Sequence, residues 1–227
     1  MNSARRAACA LGLVAAASLA SAASAQSALI DRGTFRLSVG GREIGRDSFN
    51  ISRTSPDGRI VAQGWVDVEG RRVVTVLQTT AAHVLTSYQA TVSGGETARY
   101  GATVNARRLY LTTVSPAGEQ TREARYRDGA VVLEENVAHH YFFAGQLARE
   151  GAVLPVIVPR PLEQPSFDVG PVTAERIRVG GQEVEARRLT LTAGGVERRV
   201  WLDAEGRVLR VEIPSTGFVA ERLRAPA

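Results

Sequence analysis

The residues able to do chemistry are few and crowded into one stretch. The chain has three histidines, His83, His139 and His140, and the last two are adjacent. Glu134, Glu135 and Asn136 lie just upstream. Imidazoles beside carboxylates are the raw material of general acid–base catalysis or of a mixed oxygen and nitrogen metal site. Adjacent residues on a helix, however, point about 100° apart, so the two rings cannot readily share one ion. No metal site is therefore expected. Two uses remain for the pair: exposed imidazoles at a capped helix start, or contacts to a polar or acidic head group. Tyr141, Phe142 and Phe143 follow directly and serve either as core or as the lining of a ligand cavity. His139, His140, Tyr141, Phe142 and Phe143 are thus the candidate ligand-binding residues, and no residue is assigned as catalytic.

The remaining inventory argues against the common enzymes. Gly-x-Ser-x-Gly, Gly-x-Gly-x-x-Gly, a P-loop and His-Glu-x-x-His are all missing from the sequence. No cofactor is expected. The pair Glu134-Glu135, and Asp203 with Glu205, read as solvated turn or edge groups, and no serine has an assignable base. The single cysteine, Cys9, is near the N-terminus, so the rest of the chain offers no disulfide, thiolate nucleophile or cysteine-ligated metal.

The elements that must position these residues are mostly strands. Short runs rich in Val, Thr, Leu and Tyr alternate with Gly, Asp-Gly and Pro-Gly punctuation. Strands are expected at 34–39, 42–52, 60–68, 72–78, 84–92, 97–104, 107–114 and 120–127, and His83 is expected on a strand. A second set is expected at 172–179, 182–192, 196–202, 207–213 and 217–223, with Trp201 half-buried. Gly40-Gly41, Gly94-Gly95 and Gly194-Gly195 suit the positive φ angles of tight hairpins. Hairpin following hairpin favours an antiparallel meander over alternating strands and helices. One segment departs from this: Asn136 to Glu150 places Val137, Tyr141, Ala144, Leu147 and Ala148 on one helical face, with Asn136 as N-cap and Gly151 as stop. The proline-rich stretch from Leu154 to Pro171 reads as an extended crossing.

The N-terminus reads as a secretion signal. Arg5 and Arg6 precede an uncharged run from Ala7 to Ala20, and Ala23-Ser24-Ala25 is a small-x-small cleavage pattern. The apolar run is shorter than the roughly 20 residues that span a bilayer, so no stable membrane anchor is expected. Residues 1–25 are then a signal peptide and 26–227 a single domain, placed in the periplasm or secreted from a bacterial envelope. All 28 basic residues are arginine. Removing Arg5 and Arg6 leaves 26 arginines against 23 Asp plus Glu, lowering the formal charge from +5 to +3. No basic run of five or more supports a nucleic-acid partner. Nothing in the sequence specifies an oligomeric state.

GTFRLSVGGREIGRDSFNISR at 33–53 and ERRVWLDAEGRVLRVEI at 197–213 resemble the start and end of an exported bacterial domain family of unknown function, similar in fold to the outer-membrane lipoprotein carriers. The resemblance implies a mainly β half-barrel: a large curved antiparallel sheet partly wrapped around one main α-helix, with an apolar concavity. It carries over no catalytic residue. A sheet with one apolar face must in any case cover that face, and one helix cannot cover it all. The favoured function is therefore a periplasmic binding or carrier domain for a lipophilic small molecule or envelope lipid, without covalent chemistry. The rival is a small envelope hydrolase or lyase using His139 or His140 with Glu134 or Glu135 nearby.

Cleavage after Ala25 predicts a mature protein beginning at Gln26. Intact mass measurement of the envelope form checks this, and a retained Met1 or a lipid-modified Cys9 would refute it.

Overall fold

A computed structural model describes residues 27–54, 56–161 and 163–226; the expected signal peptide at 1–25 lies outside the described residues. Among those residues 66% are in strands and 7% in helices. The first half is a meander of eight strands: β1 (Ser27–Val39), β2 (Arg42–Thr54), β3 (Ile60–Val68), β4 (Arg71–Thr79), β5 (Leu85–Ser93), β6 (Ala98–Asn105), β7 (Arg108–Ser115) and β8 (Gly118–Arg125). A short strand β9 (Val131–Val132) leads to a 3-10 turn at Ala138–His140 and the helix α1 (Tyr141–Leu147). The chain returns through β10 (Val153–Ile157), β11 (Ser166–Val179), β12 (Gln182–Ala193), β13 (Val196–Leu202), β14 (Val208–Ile213) and β15 (Phe218–Arg222).

All 15 strands belong to one open, curled sheet, in the order β8 to β1, then β15 down to β9. Every ladder is antiparallel except β9 with β10, which is parallel. This is the mainly β half-barrel with one main helix that the sequence implies. Each pairing joins neighbours in sequence except one, β1 with β15, where the two halves meet.

Alternation explains which face is inside. In β3, Ile60, Ala62, Gly64 and Val66 are buried while Gln63, Trp65 and Asp67 are exposed. In β4 the buried residues are Val73, Thr75, Leu77 and Thr79. Ile60, Ala62, Val66, Val73 and Leu77 join one large cluster with Leu133, Val137, Tyr141, Phe142, Phe143 and their neighbours. Helix α1 packs on β9, β13 and β14. Gly145 permits this approach, since a Cβ there would lie 2.8 Å from Leu202 Cδ1. On the far strand β8 nearly every residue is exposed, and Glu119, Arg122, Glu123 and Arg125 guard the open edge with charge.

Several expectations need correction. The helix lies inside Asn136–Glu150 but is shorter, because Ala148 adopts an extended conformation and ends it. Asn136 is no N-cap: its φ of 61° is left-handed, and the 3-10 turn starts two residues later. The proline-rich stretch is not one crossing, since β10 and the start of β11 occupy much of it. Pro171 is tolerated in β11 because the ladder with β12 shifts register between Val169 and Val172, where a missing N–H costs no regular bond. His83 sits in the turn before β5 with φ of 61°. Trp201 is buried rather than half-buried, in a small second cluster with Val179, Ala186 and Leu209 that covers the other face of β13.

Phe142 and Phe143 pack edge to face at 5.3 Å within the main cluster, and His83 tilts onto both rings. Phe143→Ala is therefore expected to cost about 3–5 kcal/mol. For a domain of this size that lowers the melting temperature by roughly 6–20 °C, readable by calorimetry. A loss under about 1 kcal/mol would show that the ring is not core.

Candidate functional site

The 3-10 turn carries His139 and His140 across the inside of β2 to β5, and both rings are 0% exposed. They are not the exposed imidazoles of a helix start. The reason lies in residues far away in sequence. Asp47 on β2 faces inward and is fully buried, where an unpaired carboxylate would be costly. Its Oδ2 accepts the His139 backbone N–H at 3.0 Å and its Oδ1 lies 2.8 Å from His139 Nδ1. A carboxylate only accepts, so Nδ1 carries the proton toward Asp47 and Nε2 is left to face Thr75 Oγ1 at 3.4 Å. Phe49 stacks on the imidazole at 5.5 Å and 6°. On the β3 side the backbone itself is the wall: a Cβ at Gly64 would overlap His139 Cε1.

His140 differs from its neighbour. Neither of its ring nitrogens has a hydrogen-bond partner among the described residues. The ring stands edge-on to Tyr88 at 5.5 Å and to His139 at 4.6 Å. Burial first, and then the adjacent His139 imidazole, hold its pKa well below the ordinary histidine value.

Glu134 is also inside rather than solvated, and it does not join the histidines. Its Oε2 accepts the Tyr88 hydroxyl at 3.1 Å and its Oε1 accepts Arg160 Nε at 2.6 Å. Burial raises the Glu134 pKa, and Arg160 and Tyr88 oppose that rise. Burial, followed by the Glu134 charge, pushes the Tyr88 hydroxyl well above its usual range. Arg160 closes this group by lying over the Tyr100 ring at 5.3 Å. Glu135 is exposed. Asp203 is likewise buried: it accepts the backbone N–H of Glu205 and Arg207 and the Arg207 Nε in its own turn.

Asp47, His139 and Thr75 follow the order of an acid, base and hydroxyl relay. All three are wholly buried, and the last contact is long. The arrangement thus locks the turn to the sheet. The five sequence candidates are together in space, but in packed interior, with Tyr141, Phe142 and Phe143 all buried. Among the described residues no group of three or more His, Cys, Asp or Glu is placed to hold a metal ion. No helix among them is long and apolar enough to cross a membrane.

The open site lies elsewhere, at the junction of the halves. Strand β1 has 13 residues, but only Phe35 to Val39 pair with β15. The segment before them overhangs. Between this overhang and the chain after β15 is a cleft of about 890 Å³, lined by Leu29, Ile30, Phe49 and Leu223 among others. Leu29 is 54% exposed and Leu223 37%, so apolar surface stands open to solvent. Deep in the cleft, Arg222 forms two hydrogen bonds to Asp31, at 2.6 and 2.9 Å, and also donates to the carbonyls of Arg32 and Val208. Its guanidinium lies 5.4 Å from the Phe49 ring centre. Phe49 therefore touches both the cleft, beside Arg222, and His139. Two smaller clefts lie by the Glu69–Gly70 and Gly180–Gly181 turns. None of the three is lined by the five sequence candidates.

No family model matches the chain, and no curated protein matches it. A solved structure of a DUF1089 family protein from Pseudomonas aeruginosa matches over 93% of this chain and 98% of its own, with 13% identity and a TM-score of 0.40. A likeness that loose transfers neither a site nor an activity.

The buried His140 predicts a pH dependence. Its folded pKa is depressed, so the unfolded chain binds the proton more readily. The stability this group confers is complete above its unfolded pKa of about 6.5 and is lost as pH falls below that value. His83, also depressed by burial, acts in the same window. Glu134, being raised, acts with opposite sign as pH rises above about 4.5. His140→Leu is expected to remove up to about 1.4 kcal/mol per pH unit of the wild-type slope below pH ~6.5. Urea titrations of both proteins from pH ~5 to ~8 measure this. Parallel slopes would show that His140 does not gate acid stability.

Proposed function

We propose that the protein binds a lipophilic small molecule or lipid in the cleft where β1 meets β15, without covalent chemistry. The supporting observation is apolar lining in a concave place: exposed Leu29 and Leu223, half-buried Ile30 and the buried Phe49 share a cleft of about 890 Å³, within the size range of ligand sites. The reading includes export to the bacterial envelope and kinship of the half-barrel with the outer-membrane lipoprotein carriers.

The sequence candidates keep a part in this reading, behind the site rather than in it. His139, fixed by Asp47, Thr75 and the wall at Gly64, backs the Phe49 ring. His140, Tyr141, Phe142 and Phe143 fill the concavity that would otherwise compete for an apolar ligand. The hydrolase alternative has less support, because a general base must reach a substrate and both imidazoles are enclosed.

Wild-type protein is expected to bind a fluorescent fatty acid. Leu29→Ser and Leu223→Ser, both at exposed positions, are expected to weaken binding about tenfold each while leaving the melting temperature within about 2 °C. Fluorescence titration reads the first and calorimetry the second. A wild type that never binds the probe, or variants that bind it equally well, would remove the cleft from consideration.

A further inference from the structure

Resting on that reading, we infer that the cleft selects an amphiphile with an anionic head, held by Arg32 and Arg224 at its rim. Four arginines, Arg32, Arg207, Arg222 and Arg224, line the cleft against a single carboxylate, Asp31. They are not equivalent. Arg222 is buried and fully engaged, with Asp31 and two main-chain carbonyls taking four of its N–H contacts. Its charge is matched inside the protein. Arg207 is held by Asp203 and Glu205 of its own turn. Arg32 and Arg224 are exposed, and neither forms an ion pair with a carboxylate among the described residues.

Exposed arginines elsewhere are of two kinds. Arg36, Arg42, Arg59, Arg72, Arg107 and Arg176 each pair with a nearby Asp or Glu. Arg53, Arg71, Arg99 and Arg187, like Arg32 and Arg224, are exposed without an ion pair among the described residues, and what sets Arg32 and Arg224 apart is that they share one cleft. One exposed guanidinium comes from the β1 overhang and one from the chain after β15, so both walls contribute. Guanidinium groups recognise carboxylate and phosphate by paired N–H contacts, and the apolar residues alongside would take the chain of the same molecule. A cationic head is disfavoured by the excess positive charge, and a neutral one would leave both arginines without a gain.

The test uses the whole mature protein and probes sharing one alkyl chain: an alkyl carboxylate, an alkyl phosphate, the alcohol and the trimethylammonium, with inorganic phosphate alone as a further arm. Calorimetric titration at about 20 mM and about 200 mM salt gives the affinities below micelle formation. The anionic probes are expected to bind at least about tenfold more tightly than the alcohol, with the margin shrinking at the higher salt. In Arg32→Gln/Arg224→Gln that margin should fall below about threefold while the alcohol binds as before. Equal binding of anionic and neutral probes by wild type would overturn the head-group assignment and leave the carrier reading standing. Failure of every alkyl probe would overturn both. Inorganic phosphate binding as tightly as the alkyl phosphate would show a simple anion site and refute the amphiphile. A double variant that loses the alcohol equally would show that the arginines shape the cleft instead of reading charge.

Discussion

The pairing of the first strand with the last is the constraint on which the rest depends. Each other ladder joins neighbours in sequence and could close early and locally, whereas β1 and β15 are brought together from the two ends of the described chain. Without that ladder the protein would be two meanders, each with a raw central edge. The ladder is short, five register pairs, and stops at Phe35. Beyond it the place of a strand is taken by a side chain, as Arg222 reaches the Arg32 carbonyl and holds Asp31. Both charges are nearly inaccessible. Removing one partner of such a pair typically costs about 3–5 kcal/mol, since the other is stranded in apolar surroundings. The pair thus stands where the ladder ends, and the cleft opens beyond that point.

A curled sheet presents a second problem, a concave apolar face with little helix to cover it. The helix has seven residues, and much of the filling comes from irregular chain carrying large side chains, including Leu133, Val137 and Tyr141 to Phe143. Irregular backbone in an interior must still satisfy its polar groups. Asp47 answers part of that need by accepting the main-chain N–H of His139 as well as its ring N–H. Glu134 satisfies buried side-chain donors instead, accepting from the Tyr88 hydroxyl and Arg160 Nε. These polar anchors do the positioning that helix packing does in larger domains.

How much of this was legible depends on the range of the signal. Hairpin grammar is local, so Gly40-Gly41, Gly94-Gly95 and Gly194-Gly195 marked turns that the structure contains. The helix was located because its periodicity is local too, but its length was overread: nothing in the pattern reveals that Ala148 turns extended. The burial of His139 could not be read from its neighbours, since its partner Asp47 is 92 residues away. Glu134 looked solvated for the same reason, with Tyr88 and Arg160 both distant in sequence. The cleft was the least visible feature. Its walls come from opposite ends of the chain, and the one available hint was that Asp31 is the sole acid in a stretch with Arg32 and Arg36.

The histidine pair and the cleft are nevertheless one construction, because Phe49 belongs to both. Its ring meets the Arg222 guanidinium and lines the open cleft, and it also stacks on His139. A wall residue with freedom to move would have to be ordered each time a ligand arrived, at a cost of about 0.5–1.5 kcal/mol for each immobilised side chain. Here that ordering is completed on folding. His139 cannot turn, being bonded to Asp47 and Thr75 and pressed on the bare backbone at Gly64. Phe49 cannot turn either, being stacked on both His139 and Phe35. A relay built for proton transfer would need the opposite property, an imidazole free to meet a substrate and exchange with water. The same hydrogen bonds that mimic a catalytic relay in outline are therefore better understood as the reason the cleft has a rigid floor.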